Sequence, residues 1–223
     1  MLILLFDIDG TLINSGGAGG AALFEAFQVE FDVERVGHVQ FSGRTDRDIV
    51  RSLFQLHDVD DTFENWLRLR DGYIRRLPEH LPRCGGRVLP GVNELLVQFS
   101  SAAEVALGLL TGNVQAGARI KLEHFDLYRY FSFGGFGDDH HDRNAVAQTA
   151  LTAARAANDG NVSEERIWVI GDTPLDIRCA RAIGAQVLAV ATGVHPRDEL
   201  EEAQPDVLLD DLSNTKEVLQ VLG

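Results

Sequence analysis

Leu2-Ile3-Leu4-Leu5-Phe6-Asp7-Ile8-Asp9-Gly10-Thr11-Leu12 is the stretch whose reading decides the fold. Its first five residues are apolar without alternation, the pattern of a strand covered on both faces of a parallel sheet. The run stops at two carboxylates, Asp7 and Asp9, on the loop that leaves the strand, where both can face one pocket. Gly10 permits the tight turn that follows. Like charges held together away from water repel, so the pair needs a cation or a shared proton. A hard cation such as Mg²⁺ suits such oxygen ligands. Alone, Asp-x-Asp also describes an acidic turn capping a sheet. The strand before it and Gly-Thr-Leu after it favour the pocket.

Similar short apolar runs recur downstream. Val105 to Leu110 ends at Thr111-Gly112-Asn113, and Ile167 to Ile170 ends at Gly171-Asp172. Val187 to Val190 ends near Thr192-Gly193, and Val207 to Leu209 at Asp210-Asp211. Helix-like stretches separate them: 92–100, 114–125, 144–157 and 174–183, with 214–222 closing the chain. Strands alternating with helices predict an α/β fold, a Rossmann-like parallel sheet. In such sheets the ligand crevice lies at the carboxyl ends of the strands, where these polar tails should converge. Between the first strand and residue 87 the pattern is instead helical and amphipathic, over 20–33, 46–57 and 62–77. Glycine-rich Ser15–Gly20 enters it and Leu81–Gly86 leaves it, both reading as flexible connections. The expected organisation is an α/β core of residues 1–13 and 87–223 with a helical domain, 14–86, inserted.

Composition narrows the partners. The 223 residues carry 20 basic and 34 acidic side chains, a formal charge of −14. That balance disfavours nucleic acid and anionic membrane, which recruit basic surfaces. At 45% hydrophobic residues the chain can build a sizeable core. Two cysteines, Cys84 and Cys179, make no disulfide framework and suit a reducing compartment. The apolar start is too short for a signal sequence, and no run reaches the roughly 18 residues of a membrane span. A soluble, cytoplasmic protein is expected; its oligomeric state is not legible. Only two of the basic residues are lysines, Lys121 and Lys216.

The chain resembles the haloacid dehalogenase-like (HAD) hydrolases. Asp7-Ile8-Asp9-Gly10-Thr11-Leu12 is similar to the family's first motif, Thr111-Gly112-Asn113 to its second, and Gly171-Asp172-Thr173-Pro174-Leu175-Asp176 to its fourth. The helical insertion resembles the cap of the phosphoglycolate-phosphatase-like and β-phosphoglucomutase-like branch. The resemblance implies a Mg²⁺-dependent phosphatase acting on a small phosphate ester. Asp7 is then the nucleophile that forms an aspartyl-phosphate. Asp9 is the general acid and base, its backbone carbonyl on the metal. Thr111, with the amide of Gly112 or Asn113, holds phosphoryl oxygens. Asp7, Asp9 and Asp172 bind the metal, and Asp176 holds Asp172 or a metal-bound water. Asp172-Thr173-Pro174 also reads as a helix start, which is compatible.

The family's third motif usually carries a lysine, and none stands at that spacing. Arg143, in Asp138-Asp139-His140-His141-Asp142-Arg143-Asn144, is the candidate to replace it, against a surface arginine at a helix start. Arginine supplies the charge, though not a compact ammonium. Lys121, in the middle of a helix soon after the second motif, is expected to be a poor substitute. His140 and His141 look like a metal pair, but adjacent side chains seldom aim at one site. In the insertion, Phe41-Ser42-Gly43-Arg44-Thr45-Asp46 resembles a substrate-touching cap loop, with Arg44 meeting an anion on the leaving group; against it, Thr45 with Asp48 makes a helix cap. Phe24, Phe27 and Phe31 recur at helical spacing and read as core.

Rival functions are weighed on the same residues. A haloacid dehalogenase has no use for Asp9 as an acid, and a phosphonate hydrolase needs a cap lysine that residues 14–86 lack. A phosphomutase shares every core motif and stays open as the alternative. A non-catalytic phosphoacceptor would have no cap and no acid two positions after the acceptor; a degenerate binding relative is favoured only by the missing lysine.

Overall fold

The computed structural model describes residues 1–158 and 166–222. In chain order its elements are β1 (Leu2–Phe6), β2 (Ile13–Asn14), α1 (Ala18–Phe31), α2 (Asp46–Leu56), α3 (Phe63–His80), β3 (Arg87–Val88), α4 (Val92–Ser100) and β4 (Val105–Leu110). Then come α5 (Gln115–His124), a 3₁₀ turn at Tyr128–Tyr130, β5 (Phe133–Gly135), α6 (Arg143–Ala157) and β6 (Ile167–Gly171). The chain continues through α7 (Pro174–Ala182), β7 (Gln186–Val190), α8 (Arg197–Glu202), β8 (Val207–Leu209) and α9 (Thr215–Leu222).

Six strands form one parallel sheet in the order β5-β4-β1-β6-β7-β8. β1 is central, with Ile3 opposite both Ala106 and Ile167. This explains its unbroken apolar run. Leu2, Leu4 and Phe6 join one hydrophobic cluster with Leu95, Leu96 and Leu122 from α4 and α5. Ile3 and Leu5 join another with Val146, Ala150 and Ile177 from α6 and α7. The α/β class and the parallel sheet are as expected. The chain connects leftward from β1 through β4 and β5, then rightward through β6, β7 and β8, so the sheet's switch point falls beside β1.

Helices α1 to α3 pack around a third cluster centred on Phe27, Leu53, Phe54, Leu69 and Leu77. Phe27 is fully buried there, and Phe24 and Phe31 pack against it. Thr45 caps α2 by accepting from Asp48 N (3.1 Å), and Thr62 caps α3 by accepting from Asn65 N (3.2 Å). A two-residue antiparallel ladder, Ile13 with Val88 and Asn14 with Arg87, ties together the segments on either side of these helices. That ladder, the short β5 and the polar α8 were not anticipated in the sequence. Among the described residues no helix is long and apolar enough to cross a membrane.

Candidate active site

Asp7 and Asp172 leave adjacent strands at their carboxyl ends. The Asp7 amide donates to Ile170 O (2.9 Å), which extends the β1–β6 register by one residue and sets the two acids side by side. Asp176 joins them from the first turn of α7. All three are buried, and one carboxylate oxygen of each lies within 4.8 Å of the others. Asp172 is held by the Thr11 hydroxyl, which donates to its Oδ1 at 2.9 Å. Gly10, at φ 89°, and Gly193 close over the same carboxylate so tightly that a Cβ on either would collide with it. The Thr192 hydroxyl donates to Gly10 O and joins these two loops.

Arg143 is the first residue of α6, which Asp142 caps by accepting from Asn144 N. Its guanidinium is buried, with Nη2 3.0 Å from Asp7 Oδ1 and paired also with Asp176. The same side chain donates to Gly43 O (3.3 Å) and Leu110 O (3.4 Å). Arg143, the candidate for the third-motif cation, is thus brought to the cluster. Of the two partners expected for Asp176, Asp172 or a metal-bound water, Asp172 is not bonded to it. Asp176 Oδ1 takes Arg143, and its Oδ2 takes Thr173 N (3.0 Å) and Thr173 Oγ1 (2.8 Å) in a capping box at the start of α7. A carboxylate already filled by a guanidinium and a cap has no donor to offer a second acid.

Burial pushes the Asp7 carboxyl up to about 6; Arg143 opposes this, and the neighbouring Asp176 and Asp9 add to it. Burial, with Asp176 and Asp7 beside it, drives Asp172 well above the usual carboxylate range. Three buried carboxylates face one guanidinium, and Asp7 Oδ1 lies off the N–H direction with no hydrogen-bond partner. An all-oxygen donor set with an unmatched buried carboxylate oxygen fits a hard divalent cation such as Mg²⁺.

Asp9 turns the other way. Its carboxylate is absent from the acid cluster and accepts from Ser15 Oγ (2.9 Å), Asn113 Nδ2 (3.0 Å) and Lys121 Nζ (2.5 Å). Lys121 also donates to Asn113 Oδ1 at 2.6 Å. Lys121, expected to be a poor substitute for the third-motif lysine, does not stand beside Asp7, where Arg143 does, but it is a site residue all the same. It is buried in the site, and only Lys216 lies outside, exposed on α9. The reason is geometric. α5 starts just after Asn113, and a helical side chain leans back toward the amino end of its helix, so a long lysine six residues into α5 returns to the strand end. Burial opposes ionisation of Asp9, but Lys121, Asn113 and Ser15 together hold its carboxyl below the usual range. Burial likewise works against the Lys121 charge, and Asp9, Tyr73 and Asp46 raise it above the ordinary lysine value.

Gly112 and Asn113 border the cavity, whereas Thr111 sits beneath them, fully buried, its Oγ1 accepting from Asn113 Nδ2 (2.9 Å). The cavity measures ≈ 420 Å³ and lies between the sheet edge and the α1–α3 side. Arg44 borders it too, but its guanidinium is turned to α2. Nε donates to Asp48 Oδ2 (2.7 Å), Nη2 to Ser52 Oγ (2.7 Å) and Nη1 to Gln40 O (3.1 Å). His140 bonds to Thr149 Oγ1 (3.1 Å), and His141 sits against Arg47 and Arg51; neither belongs to the acid cluster. Sequence reasoning passed over Ser15, Asp46, Tyr73 and Lys121 as site residues and placed Thr192 and Gly193 only among the strand-end tails expected at the crevice. Only Thr192-Gly193, at a strand end, carried a visible signal.

The sequence profile of the haloacid dehalogenase-like hydrolase family matches residues 4–190. "Probable phosphatase IndB" of Dickeya dadantii is 26% identical over 216 residues, covering 95% of this chain and 90% of that protein. A phosphoglycolate phosphatase of Synechococcus elongatus is 27% identical over 220 residues, covering 94% and 93%. In structure, CbbY of Rhodobacter sphaeroides, solved in complex with phosphate, superposes with a TM-score of 0.75 at 19% identity over 96% of both chains. The chain belongs to the haloacid dehalogenase-like hydrolases, in the branch that holds the phosphoglycolate phosphatase-like and β-phosphoglucomutase-like proteins, and is a phosphoric monoester hydrolase.

Proposed function

We propose that the chain is a Mg²⁺-dependent phosphatase of small phosphate esters that works through an aspartyl-phosphate on Asp7. The observation that carries this reading is the buried Asp7–Asp172–Asp176 cluster beside an Asp9 whose carboxylate opens on the cavity. Asp7, Asp172 and the Asp9 backbone carbonyl would hold the metal, with Asp176 fixing Arg143 next to them. A bound Mg²⁺ would offset the carboxylate charge and polarise the phosphoryl oxygens. Asp7 attacks phosphorus, and Arg143 offsets the charge that Asp7 and the phosphoryl group bring together. Gly112 offers its backbone N–H to the phosphoryl oxygens, while Thr111 Oγ1 accepts from both the Asn113 amide (3.3 Å) and its side chain (2.9 Å) and so sets that residue. The incoming phosphate dianion raises the proton affinity of Asp9, which then protonates the leaving oxygen. With the leaving group gone, Asp9 is ionised again beside Lys121, the form that takes a proton from the hydrolytic water. Residues 14–86 act as a lid over this chemistry, hinged at 81–86 and at 15–17, since residues 18–20 of the expected 15–20 connection begin α1. A cytoplasmic setting keeps Cys84 and Cys179, both free, in the thiol form.

The test is turnover of para-nitrophenyl phosphate with Mg²⁺ by the wild type and by Asp7→Asn. The variant should fold normally and lose about 10⁴-fold or more in kcat, since a residue at the head of covalent catalysis leaves only residual binding effects. Excess EDTA should abolish wild-type turnover and added Mg²⁺ restore it. Full activity in EDTA, or in Asp7→Asn, would refute the reading.

A further inference from the structure

The cavity wall away from the acid cluster is mainly apolar. Leu23, Phe41, Ile49 and Tyr73 form it from the α1–α3 side, and Val194 closes it from the loop after β7. Phe41 is held in place by Phe24, their ring centroids 5.5 Å apart. Gly17, Gly19 and Gly20, with Leu23 one turn on, border the space from the start of α1. The three glycines present no side chains there.

The three cations bordering the cavity among the described residues are already engaged. Arg143 is paired with Asp7 and Asp176, Lys121 with Asp9 and the Asn113 carbonyl, and Arg44 with Asp48 and Ser52. Asp46 adds a carboxylate to the same wall, where its Oδ2 accepts from Val114 N at 2.8 Å. An anion on the leaving group would meet carbon, engaged cations and a further carboxylate, and would lose its hydration without an unpaired cation in exchange. The space itself, ≈ 420 Å³, falls within the range of about 300–1,000 Å³ that encloses ring-sized ligands and larger ones. A phosphate with a two-carbon acid tail would fill little of it.

We infer that the substrate is a phosphate monoester whose leaving alcohol is uncharged, mainly apolar and at least one ring in size. The inference rests on the phosphatase reading and names the substrate class of that same site. It also makes phosphoglycolate, the compound in the name of several relatives, a poor substrate here.

Two esters of nearly equal shape test it, 4-methylphenyl phosphate and 4-carboxyphenyl phosphate, with phosphate release followed in Mg²⁺. The carboxylated phenol is the better leaving group, so intrinsic reactivity opposes the expected order. The uncharged ester should have the higher kcat/KM, by roughly tenfold or more, because a like charge brought against a committed site is strongly disfavoured. Asp46→Asn, which keeps the acceptor for Val114, should narrow that ratio severalfold. Equal or reversed kcat/KM overturns the inference while para-nitrophenyl phosphate turnover leaves the phosphatase reading standing. An unchanged ratio in folded Asp46→Asn overturns the electrostatic part of the argument. No phosphate release from any of the three esters overturns both.

Discussion

The sheet-edge side of the cavity and its helical side hold charge in opposite ways. At the sheet edge, Asp7, Asp172 and Asp176 outnumber the one guanidinium among them, and burial drives two of them toward protonation. On the helical side, Arg44 is matched by Asp48, with Ser52 and the Gln40 and Asp48 carbonyls taking further N–H groups, and the wall that faces the space is mainly apolar. An unbalanced cluster is costly to fold and gains by binding a counter-charge, which is what a reacting site needs. A balanced side chain has little charge left to offer a ligand. The difference shows that a cation's presence at a cavity says little about its role until its partners are counted.

The largest way to break this contrast is to remove the one cation of the crowded side. Arg143→Ala leaves Asp7 and Asp176 buried without compensation, a class of change that costs about 3–5 kcal/mol. It should also lower kcat by about 10²-fold or more, because nothing then offsets the charge of Asp7 and phosphate. Arg143→Lys should recover part of both, since it restores the charge but not the fork that spans Asp7 and Asp176. Urea midpoints and para-nitrophenyl phosphate kinetics on the three proteins would read it. An alanine variant with wild-type stability and kcat would mean that Arg143 is dispensable to the cluster.

The same contrast explains what the sequence could and could not disclose. Strand-end chemistry was legible because it is local. Asp7, Thr111 and Asp172 each follow an apolar run, and parallel strands bring their carboxyl ends to one edge whatever their distance along the chain. Val92–Ser100, Val105–Leu110 and Val207–Leu209 occupy the spans that the pattern predicted. β5 was invisible because three residues, two of them glycine, carry no periodicity. Lys121 was misjudged because its relevance depends on how far a helical side chain leans back, not on its distance from a motif. The state of Arg44 was hidden for a further reason. Asp48 stands four residues on, a spacing that pairs side chains on a helix face, yet the sequence alone does not say whether that pair outcompetes a ligand.

A subtler test concerns Asp46, which sits where the two sides meet. Burial pushes its carboxyl up to about 6, and Asp9 and Asp138 add to this against the pull of Lys121 and the Val114 amide. A carboxyl whose folded value lies above its unfolded one stabilises the fold fully below about pH 4. That contribution is lost as pH rises through about 6, where the charged form becomes the costly one. Asp46→Asn should therefore be more stable than wild type at pH 7.5, and the gain should vanish by pH 4. Two units correspond to roughly 3 kcal/mol, but Asp46 keeps some contact with solvent, so about 1–2 kcal/mol is expected. Denaturation midpoints at the two pH values would measure it; a gain that is flat with pH would assign it to something other than ionisation.

The smallest effect is expected at Arg44, and there the sign of the comparison matters more than its size. Arg44→Ala removes bonds to Asp48, Ser52 and the Gln40 carbonyl, but it does not strand Asp48, which still pairs with Arg51. A partly exposed pair with a remaining partner is worth about 1 kcal/mol, so a small drop in melting temperature should follow. If Arg44 serves only to brace the start of α2, kcat/KM for 4-methylphenyl phosphate and for 4-carboxyphenyl phosphate should fall together and slightly, leaving their ratio unchanged. If the guanidinium leaves Asp48 to grip an anionic substrate, the carboxylated ester alone should suffer, and severely. Because both esters present the same phosphate to the same sheet edge, that ratio isolates the helical wall from the chemistry. A selective loss would turn Arg44 from a brace into a specificity residue, and the matched-charge account of that side would have to give way.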